Sequence, residues 1–492
     1  MNRSINRPVT VIYDDRRTPP SDINAIIGAT RFSGILRKRL SLGEEVRRSC
    51  VEGGATDLFH LVDERDAHHL AELIEDSQPN HTFLRLPSFL MPARPGGLPA
   101  AIDKGRYILQ SMLLAPVFDD DAAALLTAPD AIALLRARGQ ANLRELAIGL
   151  ATEHPTMLDH FGFVDLRRPE AFLAFMGDAT EARHFNTTAR VGAVFRKTSS
   201  NRVKMAREYG FFHVVPERLK AFLLPTFDFK EDEERAGYSM ERLNVPDAAL
   251  QFIHFAFDER SFATLVDRFF DFVGARPVKE VGAAEVREQA GRDILAKMNE
   301  RLAECLASDT GRQLDRVLET SGPLGGLRAM GARADALVRE AIRRDPSSAL
   351  AIGHGDPCFS NILFDRRIGM FRLIDPRGAR TLDEAWMHPL YDLAKFSHSA
   401  MGGYDFVNND LFDCALDESL KLQLTLENGG PPPWGRDILK ERMEDEHSLF
   451  VVRAYELSLF MSMLPLHMDH PRKLAGFALI ACQIIQDLEA AG

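Results

Sequence analysis

Ile352-Gly353-His354-Gly355-Asp356-Pro357-Cys358-Phe359-Ser360-Asn361-Ile362-Leu363-Phe364, followed by Leu373-Ile374-Asp375, is the stretch whose reading decides the fold. Its apolar ends and polar middle predict strand, tight loop, strand, strand, with an Asp, an Asn and a second Asp at the loop positions. Groups so placed suit metal-assisted phosphoryl transfer. One carboxylate takes the proton of an acceptor hydroxyl, and two further oxygen donors hold Mg²⁺ against nucleotide phosphates. A β-hairpin whose Asp and Asn only make turn hydrogen bonds would share part of the pattern. It would not require Asn361 and Asp375 in register with two apolar strands.

The spacing matches the protein-kinase catalytic loop, in which an Asp, four intervening residues and an Asn are followed by a metal-binding Asp. Gly355 stands where protein kinases carry Arg. Without that Arg an activation-loop phosphate has no partner, so a protein substrate is not expected. His354-Gly355-Asp356 at this spacing instead resembles the signature of the aminoglycoside phosphotransferase and choline kinase superfamily. Three other stretches narrow the resemblance: Ile374-Asp375-Pro376-Arg377-Gly378 with Pro389-Leu390-Tyr391-Asp392-Leu393-Ala394-Lys395-Phe396-Ser397-His398-Ser399, Val245-Pro246-Asp247-Ala248-Ala249-Leu250-Gln251-Phe252-Ile253-His254, and Ser462-Met463-Leu464-Pro465-Leu466-His467. Together they are similar to the kinase-like proteins of bacterial capsule and surface-polysaccharide loci, often fused to a nucleotidyltransferase-like domain. The likeness runs over roughly residues 184 to 480.

The rest of the chain fits this frame. Its 492 residues exceed one core. A net charge of −11 gives no electrostatic footprint for nucleic acid or an anionic membrane. No apolar run approaches the length of a membrane span, and the N-terminus lacks a signal-peptide core. Five scattered cysteines, Cys50, Cys305, Cys358, Cys414 and Cys482, indicate neither a disulfide framework nor a zinc site. A reducing, cytoplasmic setting is expected.

Three blocks follow from the pattern. Residues 1–180 alternate short β-branched strands (9–13, 58–62, 82–86) with helical stretches (41–52, 67–75), which predicts an α/β, parallel, Rossmann-like domain. It resembles a degenerate nucleotidyltransferase. Asp14-Asp15-Arg16-Arg17-Thr18-Pro19-Pro20 replaces a Gly-rich loop after the first strand and cannot wrap a triphosphate with backbone amides. The basic run from Arg31 to Arg39 reads as a solvated helix face, with phosphate contact as the alternative.

Residues 181–246 read as a kinase small lobe. A strand carries Lys197, and the next helix presents Glu208, as in the Lys–Glu pair that holds nucleotide phosphates. Lys204 competes for that role from within the helix. His184-Phe185-Asn186-Thr187-Thr188 occupies the place of the usual Gly-rich loop. Met240-Glu241-Arg242-Leu243 closes a hairpin and reads as the hinge whose backbone meets adenine, or as an ordinary sheet edge. Residues 247–492 read as the mainly helical large lobe bearing the catalytic and metal-binding loops. The whole is an α/β domain followed by an α+β, two-lobed, protein-kinase-like fold.

The expected site therefore comprises Asp356 as general base or orienting group, Asn361 and Asp375 as Mg²⁺ ligands, and Lys197, Glu208, Met240 and Glu241 around ATP. His354 reads as architectural, and the resemblance implies that Asp392 braces the loop. Arg377 either meets a phosphate or pairs with a nearby carboxylate. Tyr391, His398, Tyr404 and Asp405 are candidates for the acceptor pocket. The function expected is phosphorylation of a hydroxyl on a small metabolite: a sugar, an amino alcohol or a polysaccharide precursor. The alternatives are a nucleotide-binding pseudokinase that regulates glycan assembly and a bifunctional nucleotidyltransferase-kinase.

Overall fold

The computed structural model describes residues 6–37, 39–77, 80–94, 96–114, 121–137, 149, 162–177, 186–191, 194–443 and 446–491, with backbone alone at 186–191 and 446–448. The chain divides into two compact units, Met1–Glu181 and Ala182–Gly492.

In the first unit the fully buried strand Val9–Asp14 is central. Asp57–Leu61 and Thr82–Pro87 pair with it in parallel on either side. The helices Leu42–Glu52 and Glu64–Ser77 carry the crossovers that parallel pairing requires. Ser41 caps the first of them by accepting from the Glu44 amide at 3.1 Å. Two further strands, Ala124–Leu126 and Met112–Leu113, extend the sheet antiparallel, so it is mixed rather than all-parallel. No helix separates these two strands among the described residues, and they pair as neighbours in the chain.

The acidic-basic run after the first strand folds onto itself. Arg85 is buried between two carboxylates, donating to Asp14 at 2.6 Å and also to Asp121. Arg16 reaches Asp14 at 2.7 Å and Glu64 at 2.8 Å. These cations are engaged inside the unit. The Arg31–Arg39 run is also not a helix face. It forms a 3₁₀ turn, Phe32–Gly34, and the short strands Leu36–Arg37 and Leu40–Ser41. Arg31 donates to the Asp15 carbonyl, and Arg37 pairs with Glu45 and lies 3.8 Å from the Phe175 ring centroid. No helical period of apolar residues supports that stretch, so local ion pairing decides its shape.

Burial alone would raise the Asp14 carboxyl, but Arg85 and Arg16 hold it well below the usual carboxylate range. Its stabilising contribution is thus complete above the ordinary carboxylate pKa and lost as pH falls through the depressed one. Arg85→Met strands two buried carboxylates. It is expected to cost about 3 kcal/mol, the low end for a broken buried pair, because Arg16 still faces Asp14 and Arg17 faces Asp121. Thermal unfolding of the full chain, read by hydrogen exchange in Val9–Asp14, should show that deficit at neutral pH. The deficit should close in acid; a gap that widens in acid would refute the account.

The second unit has a two-lobed, kinase-like architecture. Its small lobe is a four-stranded antiparallel sheet in the order Asn186–Val191, Val194–Ser199, Ala236–Glu241, Thr226–Glu231. The helix Arg202–Val214 lies in sequence between the second and last of these and packs on the sheet through Met205. The large lobe is helical around an aromatic core. Phe269 stacks on Phe396 with centroids 4.1 Å apart, and Phe359 of the catalytic loop meets Phe252 edge-on at 5.0 Å. Asp258 and Ser261 form a reciprocal cap for the long helix Glu259–Ala275.

Two helices correct the reading that no apolar run reaches membrane-span length. Leu449–His467 and Pro471–Ala491 pass by length and composition. Most of each is buried within this unit, where Glu446–Met463 packs on Leu327–Arg344, Tyr391–Ala400 and Pro471–Ala491. Being apolar on nearly all sides is what a helix in the middle of a large core requires.

Candidate active site

The strand Val194–Ser199 places Lys197 on its buried side, and the helix Arg202–Val214 turns Glu208 inward to meet it. Lys197 Nζ lies 2.8 Å from Glu208 and 2.9 Å from Asp375 Oδ1. Burial opposes the ammonium charge, but Asp375 and Glu208 outweigh it and raise its pKa. Tyr238 donates its hydroxyl to Glu208 at 3.0 Å. Lys204, one turn earlier on the same helix, reaches the other Glu208 oxygen at 3.4 Å from a more exposed position. Of the two candidate lysines, Lys197 is the one that also meets Asp375.

A close backbone approach fixes the Glu208 helix. Gly378, at φ +83°, packs so tightly that an added Cβ would fall 2.4 Å from the Arg207 carbonyl carbon. The next amide, Ala379, donates to the Arg207 carbonyl at 2.9 Å. The segment after Asp375 therefore clamps the helix that carries Glu208. Asp375 itself sits at φ +56°, a strained conformation for a non-glycine residue.

The loop that carries Asp356 leaves the buried strand Ala349–Ile352 and re-enters the hairpin Ile362–Asp365 with Met370–Leu373. Asp392, fully buried, accepts from the amides of His354 at 2.9 Å and Gly355 at 2.7 Å, and Arg276 supports it at 3.3 Å. His354 Nδ1 accepts from the Asp356 amide at 3.3 Å, and burial pushes the ring's pKa down, so it is neutral and structural. The Asn361 side-chain NH₂ donates to the Asp356 carbonyl at 2.9 Å and to its carboxylate at 3.3 Å. The Ile374 amide donates to the Asn361 carbonyl at 3.0 Å, placing Asn361 one residue in register from Asp375.

These residues fit a hard cation. The Nδ2 bonds to Asp356 leave the Asn361 amide oxygen outside that pairing, and Asp375 spends one oxygen on Lys197. Among the described residues no group of three or more His, Cys, Asp or Glu could hold an ion. Magnesium completed by nucleotide phosphates and water needs only one or two protein carboxylates.

The sequence did not point to Lys395. From the helix Tyr391–Ala400 its ammonium reaches Asp356 Oδ1 at 3.0 Å. Burial would raise the Asp356 carboxyl, but Lys395 keeps it below the usual range. The only sequence signal was a Lys three residues after Asp392, on the same helix face, and periodicity does not say how that face docks on the loop. Of the acceptor candidates, His398 stacks on Tyr404 at 4.1 Å and is pushed down to about 3 by burial, which leaves it uncharged. Asp405 is buried and pushed up to about 7 by that burial. Tyr391 is buried on the same helix as Lys395.

Met240 points into the small-lobe core, whereas Glu241 is exposed and pairs through its backbone with Val194. The strand ends there, and the extended segment to Pro246 follows. His184 and Phe185, proposed in place of the Gly-rich loop, lie outside the described residues, and Asn186-Thr187-Thr188 are strand backbone.

No family model matches the chain, and no curated protein does. Solved structures do. A thermostable mutant of aminoglycoside phosphotransferase APH(4)-Ia is 15% identical with a TM-score of 0.38, over 65% of this chain and 98% of that one. A ternary complex of the same enzyme with AMP-PNP and hygromycin B gives 14%, 0.36, 66% and 99%. A protein assigned as a fructosamine-3-kinase from Haemophilus somnus 129PT gives 10%, 0.35, 65% and 96%. At such scores the functional argument rests on this chain's own geometry.

Proposed function

We propose that the second unit is an ATP·Mg²⁺-dependent phosphotransferase acting on a hydroxyl of a small metabolite, such as a sugar, an amino alcohol or a polysaccharide precursor. The observation that carries this reading is the convergence of Lys197 on both Glu208, from the next helix, and Asp375, from a segment far along the chain. The Arg85 cluster of the first unit shows that three partners alone can be structural; here the third partner, Asp375, is also joined through the Ile374 amide to Asn361. A phosphate-binding Lys does need one residue to orient it and a neighbour that holds the metal.

In this reading Lys197 turns from Asp375 to the α- and β-phosphates and stays oriented by Glu208. Asn361 and Asp375 would hold Mg²⁺, which would supply positive charge to the nucleotide phosphates. Asp356 orients the acceptor hydroxyl in line and takes its proton as the new O–P bond forms. The bond from the γ-phosphorus to the β-phosphate oxygen breaks, and ADP leaves with that electron pair. Asn361 fixes the Asp356 carboxylate for that task.

The test is ADP release from Mg·ATP across a panel of sugars, sugar phosphates, amino alcohols and aminoglycosides. Acceptor-dependent release is expected, falling about 100-fold in Lys197→Met, which removes one preorganised phosphate contact. Nucleotide binding without acceptor-dependent release, equal in Lys197→Met and wild type, would replace this reading with the pseudokinase.

A further inference from the structure

Two cations flank the Gly355–Asp356 segment. Lys395 lies 3.0 Å from Asp356, and that pair opens to solvent, with the Lys side chain 19% and the Asp side chain 41% exposed. Burial disfavours the ammonium, yet Asp356 outweighs it, so the charge is retained.

Arg377 comes from the other flank. Its amide donates to the His354 carbonyl at 2.9 Å. Its Cβ and Cδ lie over Gly355, where an added Cβ would meet them at 2.6 and 3.3 Å. Gly355 has φ +83°, so both its conformation and this contact require glycine. The rest of the Arg377 side chain continues into solvent beside the residue preceding Asp356 and forms no ion pair among the described residues.

Asp356 balances Lys395, whereas no other neighbouring carboxylate among the described residues is placed to balance Arg377. Asp392 is spent on the His354 and Gly355 amides and on Arg276. Asp375 faces Lys197. Asp405 is buried, and burial pushes its carboxyl up to about 7. An ammonium-bearing acceptor would meet Lys395 and Arg377, with the partly exposed carboxylates Asp356 and Asp375 already paired to Lys395 and Lys197. An oxyanion would gain two charge-assisted hydrogen bonds.

We propose that Lys395 and Arg377 form an anion subsite beside Asp356, so that the acceptor carries a phosphate or carboxylate group near its reacting hydroxyl. This rests on the phosphotransferase reading and narrows its substrate class to sugar phosphates, sugar acids and related oxyanions, away from amino alcohols and aminoglycosides.

The test uses the full chain loaded with Mg·ADP and titrated with inorganic phosphate, followed by calorimetry. Saturable binding is expected. Lys395→Met and Arg377→Gln should each weaken it about tenfold, the loss of one charge-assisted contact. Lys395→Arg keeps the charge and should restore most of the affinity. Arg377→Gln changes an exposed side chain and so reads the subsite without threatening the fold. Acetate that competes with phosphate extends the class to carboxylates; acetate without effect confines it to phosphate esters. Methylammonium should show no saturable binding.

The proposal is overturned if phosphate does not bind, or if neither substitution weakens it. It is also overturned if exchanging ADP for AMP-PNP abolishes binding, because phosphate was then filling the γ-position. Repeating the titration without nucleotide separates the two readings. Failure of Mg·ADP to bind sinks the kinase assignment, while the phosphate response still reports on Lys395 and Arg377.

Discussion

Asp356→Asn is expected to lower acceptor-dependent ADP release about 10³-fold while changing Mg·ATP affinity by less than about threefold. The substitution is nearly isosteric. It keeps an oxygen for the Asn361 NH₂ but removes the group that takes the acceptor proton. In the proposed reading the nucleotide is met through Lys197, Glu208 and Asp375, and the ion pairs that join these three do not include Asp356. Loss should therefore fall on kcat rather than on nucleotide binding. Wild type adds a pH signature. Lys395 keeps the Asp356 carboxyl below the ordinary carboxylate range, so it stays ionised through mild acid. The acid limb of kcat/KM should lie below that range, and Lys395→Met should move it upward. Residual turnover within tenfold of wild type in Asp356→Asn would remove Asp356 from the chemistry.

Local signals in the sequence placed most of this site, and the failures have a common cause. Lys197 and Glu208 were readable because a strand and the following helix bring them together over a short interval, so little tertiary information was needed. Asp356, Asn361 and Asp375 were readable because their spacing is set by one loop and one hairpin. Lys395 was not. Its meeting with Asp356 depends on how the helix Tyr391–Ala400 docks, which helical period alone does not encode. Met240 and Glu241 end the strand Ala236–Glu241, with the Met240 side chain in the core and Glu241 exposed, an arrangement that leaves the expected backbone contact to adenine open. The parallel part of the first sheet was legible from strands alternating with helices. Its antiparallel edge was not, because Met112–Leu113 and Ala124–Leu126 are too short to show a period.

Asp392→Ala should produce the largest loss of stability in the second unit, about 3–5 kcal/mol, the cost of breaking a buried ion pair. The removed carboxylate leaves the His354 and Gly355 amides without acceptors in a site closed to water. It also strands Arg276, which retains only carbonyl contacts, including Pro389 at 2.9 Å. Burial already depresses the Arg276 pKa, so losing its counter-charge falls on a guanidinium that is costly to hold. Since whole domains are stable by only about 5–15 kcal/mol, this one change takes a large share.

A double-mutant cycle separates the two costs. Arg276→Met in the Asp392→Ala background removes the stranded charge and should recover part of the loss, whereas in wild type it should destabilise. Urea unfolding with hydrogen exchange at Gly355 would measure both. Asp392→Asn keeps one acceptor oxygen, so it should unfold later than Asp392→Ala yet still loosen the loop that presents Asp356. Activity should then fall further than stability. If Asp392→Ala cost less than about 1 kcal/mol, the worth of a single net hydrogen bond, the loop would have to be held by the Arg377 amide on His354 and the Asn361 bonds to Asp356. The rigidity of the catalytic loop would then come from its solvent side, with no contribution required from the buried carboxylate beneath it.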